Sequence, residues 1–409
     1  MTEQITTLSN KTVSNPAEYG ALRDQGSFFR AAIEGLESPV WFVAGFDDAK
    51  EILHDPRFIR DQSKLPGAEG PSLTDEMLEQ VGMPREYFKY FGLLGLSDGE
   101  EHTRMRNVVA RAFTARRVNA LRAGLEKNAA DTYAALAAKK EGDLVAELGY
   151  PFTAAAICEL MGVEEADQPK LMGWIMEFVS YDTERLVSAI GSIIEYYKEL
   201  IARRRAEPTD DLISELTKPG GPDQDLLTDD TIIAIFLLLT STGIAPPAHF
   251  LAQAILALLT HPEELAKLRA EPKLLARRAV PELIRFATSV PTGGPLYAAE
   301  SFEFRGCPVR TGDAVIPSLL GVNHDPRQFK DPLKLDVARD MGPGVGHLSF
   351  GSGSHYCTGA ALAQLETEIV INTFLIQNQG MELAVKPEEL QYFDVPGKGT
   401  ALGSLPVRF

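Results

Sequence analysis

The chain has 409 residues, 44% of them hydrophobic, with a formal net charge of −17 and a pI near 5.0. This size and apolar content suit one large, helix-rich domain with an extensive core, and the acidic balance excludes a surface built broadly for nucleic acid or anionic membranes. Three widely spaced cysteines, Cys158, Cys307 and Cys357, do not make a disulfide framework and fit a reducing cytoplasm.

Residues 1–15 are polar and read as a flexible arm without leader or anchor, ahead of a single domain over 16–409. Trp41 to Gly45 has strand character. Asp47 is placed to cap a short helix from Asp48 to Leu53, which Asp55-Pro-Arg-Phe58 ends. After loop signals at Pro66 to Pro71, a cluster of Tyr87, Phe88, Tyr90 and Phe91 reads as an aromatic core contact. Glu101 opens a helix in which His102 and Arg106, four apart, share a face and can hold a carboxylate. A solvated surface pair is the plain alternative. From His102 to Leu125 there are six arginines and no acid. That run suits an acidic redox partner or simply a solvated helix face.

Residues 120–220 carry amphipathic helical patterns, among them an apolar stripe of Leu171, Met172, Ile175 and Met176 with Phe178 beside it. A longer helix follows. Thr228 is its cap, Asp229 and Asp230 suit its positive end, and Ile232 to Leu239 is apolar on every side, too short a run for a membrane span. Unbroken to Thr260 it would reach roughly 48 Å. It is interrupted by Thr240-Ser-Thr-Gly-Ile-Ala-Pro-Pro-Ala-His249. Pro246 and Pro247 lack amide hydrogens, so a break is expected there, with the carbonyls of Thr242 and Gly243 released. Gly243 permits close approach of a flat ligand.

Glu282 and Arg285 lie one helical turn apart and can pair, a weak signal alone. Val290-Pro-Thr-Gly-Gly-Pro295 reads as an irregular strand. Phe302 to Gly306 and Ala314 to Pro317 read as a hairpin.

The last motif is Phe350-Gly-Ser-Gly-Ser-His-Tyr-Cys-Thr-Gly359, followed by a helical pattern. Gly351 and Gly353 allow a tight loop, and Cys357 falls at or just before a helix N-terminus, where amides and the dipole favour a thiolate. Such a thiolate is a nucleophile, a zinc ligand or a haem ligand. Zinc wants further Cys or His at short spacing, and only His355 is near. Haem ligation needs one cysteine, room around the sulfur and donors aimed at it.

Phe350-Gly-x-Gly-x-His-x-Cys357-x-Gly359 resembles the haem-binding signature of the cytochrome P-450 family. Several other stretches extend that resemblance over nearly the whole chain: Asp55 to Phe58, His102-x-x-x-Arg106, Glu282-x-x-Arg285, and the run from Asn323 to Arg339. The resemblance implies a mainly α fold with small β regions, a single large domain with haem b between the long central helix and the Cys-loop helix. Cys357 would ligate the iron; His102, Arg106 and His355 would bind propionates; Gly243, Phe350 and Gly359 would border the haem; and Glu282 with Arg285 would form a buried lock. A pocket of Phe88, Phe91, Phe178, Leu238, Thr242, Ala245, Pro246, Val290 and Thr292 would face a small, mostly apolar substrate. Electrons would come from a ferredoxin and its reductase, since the chain carries no flavin or nicotinamide module. A soluble, cytoplasmic monomer making a tailoring step in bacterial natural-product biosynthesis is the implied setting.

Two departures stand out. The family's acid and alcohol, which order the proton relay for oxygen activation, are here Ala245 and Pro246, neither of which donates. Thr242 and His249 flank this turn as substitute donors. Peroxide-driven oxidation, ring closure, C–C coupling or redox-neutral rearrangement therefore competes with hydroxylation, and a haem sensor or platform without turnover is a third possibility. Second, Leu296 occupies the place of the family's usual propionate-binding arginine.

Overall fold

The computed structural model describes residues 5–36, 38–67, 78–79, 82–91, 94–178, 183–218, 227–342, 346–395 and 398–409. The principal strands, in chain order, are β1 (Thr6–Leu8), β2 (Phe28–Ile33), β3 (Val40–Val43), β4 (Phe58–Ile59), β5 (Leu296–Ala298) and β6 (Ala314–Pro317). The helices that position functional side chains are α1 (Phe46–His54), α2 (Gly99–Ala110), α3 (Tyr150–Met161), α4 (Gln168–Phe178), α5 (Thr183–Ala206), α6 (Asp229–Gly243), α7 (Ala245–Thr260), α8 (Val280–Phe286), α9 (Leu319–Asn323) and α10 (Ala360–Ile371). Backbone contacts group the chain into two compact units.

The first unit comprises Met1–Pro66, Glu126–Gly149 and Pro246–Phe409. Its main sheet has the order β1-β2-β3-β6-β5-β4. Strand alternation sorts its side chains onto two cores. Phe28, Trp41 and Val43 join Phe46 and Ile52 of α1 on one face, whereas Phe29, Ala31, Val40 and Phe42 join Tyr19 on the other. Part of the expected N-terminal arm is built into this sheet: Thr6 to Leu8 pairs in parallel with Ala31 to Ile33.

Two local expectations are corrected. Helix α1 begins at Phe46 with Gly45 as its cap residue, and no side chain of its own caps it. The carboxylate of Asp325 instead accepts the Phe46 amide at 3.0 Å, satisfying a helix-end donor from a distant segment. Phe302–Phe304 pairs with Cys307–Val309, not with Ala314–Pro317. Arg305 and Gly306 take φ of 50° and 76°, the two positive values that a tight type I′ turn requires. Ala314–Pro317 is β6, drawn into the main sheet beside β3 and β5.

The second unit comprises Gly67–Leu125 and Tyr150–Ala245 and contains α2 to α6. Thr228 caps α6, its hydroxyl accepting the Thr231 amide at 3.2 Å. Ile232 to Leu237 are buried, which accounts for the apolar run. By length and composition Asp229–Thr260 would pass for a membrane span. The helix is instead divided at Ile244, whose φ of −114° and ψ of −66° end α6.

Candidate functional site

The cysteine loop has the predicted local build. Gly351 and Gly353 adopt φ of 71° and 72°. A side chain at Gly353 would bring its Cβ within 2.6 Å of the Leu53 carbonyl oxygen, so glycine is needed for packing as well as for the turn. The Cys357 amide donates to the Phe350 carbonyl at 2.9 Å, closing the loop that holds the sulfur. Gly359 is the cap residue of α10, which places the exposed Cys357 just ahead of that helix's positive end. His355 ends the short turn Gly353–His355 and is half-buried, as is Phe350.

Behind the loop lies a fully buried ion pair. Arg285 donates from Nε and Nη2 to the two carboxylate oxygens of Glu282 at 2.7 and 2.9 Å. Its remaining nitrogen donates to the carbonyls of Asn323 and Pro332. Glu282 also accepts from the Asp336 amide and from Nε of Arg339, each at 3.0 Å. The amide side chain of Asn323 then reaches forward: its Nδ2 donates to Ser349 at 2.7 Å, and its Oδ1 accepts the Leu348 amide at 2.7 Å. A continuous set of hydrogen bonds thus runs from Glu282 to the residue preceding Phe350. Asn323 and Arg339 bound the run that carries the resemblance, but their hydrogen-bonding roles, and Ser349 altogether, gave no signal in the local pattern.

His347 packs beside Phe350 with ring centroids 5.6 Å apart. Burial, then the Arg285 charge, push its pKa down to about 4. On α10, Glu366 is buried, and its Oε1 has no hydrogen-bond partner among the described residues. Burial raises its pKa well above the usual carboxylate range.

At the central break, two distant hydroxyls donate to backbone carbonyls. Thr153 donates to Ile244 at 3.1 Å, and Ser289 donates to Pro246 at 3.0 Å. Neither residue carried a sequence signal, since each meets the break only through the fold. Thr242 is exposed, and its hydroxyl donates to Leu238 one turn earlier at 2.7 Å. Its proton is committed to its own helix, leaving lone pairs to accept.

Two residues at the break make contacts that their chain neighbours do not foretell. The space beside Gly243 is taken by α3, because a Cβ there would meet Ile157 Cδ1 at 2.5 Å. On the side where a Cβ would project, Gly243 admits a neighbouring helix. His249 is buried on α7, with Nδ1 3.1 Å from the Leu402 carbonyl and its ring edge-on to Phe393. Burial lowers its pKa, so the ring is neutral and its N–H donates to that carbonyl. That ties up the proton it was expected to supply.

Of the anticipated pocket residues, Phe91, Phe178 and Leu238 line one cavity of about 140 Å³ in the second unit. Tyr90, Ile193 and Ser241 complete much of its wall. In the α6 run from Ile232 to Leu239, only Leu238 is half-buried, and it lines this cavity together with the buried Ala234 and Leu237. Phe88, Thr242 and Ala245 do not line it, and Pro246, Val290 and Thr292 belong to the first unit. Thr292 is buried and bridges Ser318. His102 and Arg106 both lie on α2, His102 buried and Arg106 half-buried. Within the basic run, Arg117 pairs with Glu215, and Arg116 reaches Asp210 at 3.9 Å.

The donor set at Cys357 is one cysteine sulfur at a helix start. Among the described residues no cluster of His, Cys, Asp or Glu is able to hold a metal ion. This arrangement fits axial ligation of a haem iron and not a zinc site.

Residues 156–389 match the sequence pattern of the cytochrome P450 family. The cytochrome P450 monooxygenase PikC of Streptomyces venezuelae is 33% identical over 398 residues, 96% of this chain and 90% of that protein. The structure of the bacillaene polyketide synthase cytochrome P450 PksS of Bacillus subtilis superposes with a TM-score of 0.84 at 28% identity, covering 97% of each chain. That of CxnD, a cytochrome P450 enzyme for C–S bond formation in chuangxinmycin biosynthesis, gives a TM-score of 0.82 at 26% identity, covering 100% of this chain and 98% of the other. The fold and the cysteine loop define a haem-thiolate oxidoreductase. The chain belongs to the cytochrome P450 family and is an enzyme of the monooxygenase class whose cofactor is a haem iron.

Proposed function

We propose that this enzyme is a cytoplasmic monooxygenase that modifies a small, mostly apolar molecule late in the assembly of a bacterial natural product. Cys357 would ligate the iron of haem b, and His102, Arg106 and His355 would take its propionates. A ferredoxin and its reductase supply electrons. The observation that carries this reading is the Cys357 loop: one sulfur, held by a closed turn at a helix start and backed by the Glu282–Arg285 network.

The haem, when bound, supplies oxygen activation, and thiolate ligation favours O–O cleavage. The chain's own residues hold and shape. Asn323 and Ser349 fix the loop that carries the sulfur. Tyr90, Phe91, Phe178 and Leu238 offer an apolar wall that excludes water and favours an apolar substrate. Carbon monoxide difference spectroscopy of the reduced protein tests the ligand. The wild type should give the strongly red-shifted band of thiolate ligation, and Cys357→Ala should abolish it. A band that survives the substitution would end this reading.

A second reading is supported by the central break. Ala245 and Pro246 donate nothing, the Thr242 proton is committed to Leu238, and the His249 N–H is committed to Leu402. Protons for oxygen activation would then come from water or a substrate hydroxyl. Ring closure, bond coupling or peroxide-driven oxidation would proceed with less need of them, and CxnD, named for C–S bond formation, makes such chemistry a fair comparison. Turnover with a reductase pair, set beside turnover with peroxide alone, separates the readings. Substituting Ala245→Glu together with Pro246→Thr should raise oxygen consumption and lower any native activity other than hydroxylation. No change in either quantity would show that the relay does not limit this enzyme.

A further inference from the structure

We propose that Arg60 supplies the carboxylate-binding charge that the chain lacks at Leu296. This rests on the haem reading above, because the carboxylates concerned are the propionates of the bound cofactor. Strands β4 and β5 are antiparallel, with Phe58 opposite Ala298 and Ile59 opposite Tyr297. The next position in that register sets Arg60 opposite Leu296. Residues facing each other in an antiparallel pair project from the same side of the sheet, with Cβ atoms roughly 5 Å apart. A cation moved from 296 to 60 therefore crosses to the neighbouring strand and keeps its face.

Three further observations agree. Leu296 is buried within the apolar cluster that contains Phe58 and Ala298, so position 296 offers an anion nothing. Arg60 follows Phe58 by two and leaves the strand on that same face, at the edge of the cluster, half-buried. Gly294, two residues before Leu296, makes room for it: a Cβ there would lie 3.1 Å from Arg60 Nη1. The guanidinium thus lies along the strand end from which an arginine at 296 would have extended. Its fork of donors matches a carboxylate better than a lysine would.

The test is a cross-strand exchange in the haem-loaded enzyme, read by haem transfer to apomyoglobin and by the iron reduction potential. Arg60→Leu should speed haem loss about tenfold or more, the loss expected for one charged hydrogen-bonded contact. It should also lower the potential, because an unneutralised carboxylate near the iron favours the ferric state. Adding Leu296→Arg to Arg60→Leu should restore both quantities. Gly294→Ala, which crowds the guanidinium, should move both in the direction of Arg60→Leu by less. A purely structural arginine would change the unfolding midpoint without moving the potential, and that outcome would overturn the proposal. So would Arg60→Leu retaining haem and potential like the wild type. Either result is distinct from failure of the haem assignment, in which the wild type itself would lack the thiolate band.

Discussion

The Glu282–Arg285 lock and the Ile244 break handle buried polar groups in opposite ways. At the lock, a pair of full charges is removed from water, and every side of it is met: two contacts within the pair, backbone carbonyls on the arginine, an amide and a second guanidinium on the glutamate. At the break, the backbone carbonyls of Ile244 and Pro246 are each met by a single hydroxyl from elsewhere. The lock resists change because its members are mutually dependent. The break tolerates change because each cap acts alone. One region fixes the sulfur; the other leaves a stretch of helix open to sequence variation, and in this chain the usual acid and alcohol have been replaced there.

The largest effect should follow from disturbing the lock. Arg285→Ala leaves buried Glu282 with Arg339 as its one cation and the Asp336 amide as its other donor, and strips donors from Asn323 and Pro332, a change of about 3–5 kcal/mol. Chemical denaturation should show a midpoint lowered accordingly, with loss of the thiolate band in whatever protein remains folded. A midpoint within about 1 kcal/mol of the wild type would make the lock no stronger than an exposed ion pair and would remove the contrast with the break.

A smaller effect is expected from acid, and it sharpens the same contrast. Burial, together with the Arg285 charge, pushes His347 down to about 4 and His324 to about 3, from an ordinary 6.5. Between pH 6.5 and about 4 the unfolded chain therefore binds protons that the folded chain refuses. Stability should be level above that window and fall as pH drops through it. His249 at the break shifts in the same direction, but from burial alone. His347→Asn keeps an acceptor for the Ser349 amide without the titration, and should flatten part of the decline in denaturation midpoint between pH 6.5 and 4.5. A decline identical to that of the wild type would show that His347 is not one of the groups responsible.

Legibility followed the same division. Cys357, the glycines of its loop and the Glu282–Arg285 pair were readable because chain spacing brings them together within a turn. The position of the break was readable because proline acts on the carbonyl four residues before it. Contacts made only through the fold gave no signal: Asn323 with Ser349, Thr153 with Ile244, Arg60 with the strand end at Gly294. The contacts of His249 and Gly243 were hidden for the same reason. Each was judged by its neighbours in the chain, while Leu402 and Ile157 decide what it touches. The hairpin was mispaired because alternation marks a strand without naming its partner, and the positive φ at Arg305 is invisible in an arginine.

The smallest effects should come from the caps of the break, and they test whether those caps act independently. Thr153→Val keeps the shape of a fully buried side chain and removes the donor to Ile244, at a cost of about 1–2 kcal/mol, since the acceptor is left without that hydrogen. Ser289 is half-buried, so water can replace its hydroxyl at Pro246, and Ser289→Ala should cost less, about 0.5 kcal/mol. The two hydroxyls serve different carbonyls from different segments, so the double substitution should equal the sum of the singles within about 0.5 kcal/mol. Each single should also leave the thiolate band in place, because neither hydroxyl belongs to the hydrogen bonds around Cys357. A double-mutant coupling above about 1 kcal/mol would mean that the break is a cooperative network like the lock. The replacement of its acid and alcohol would then have had to be compensated as a unit.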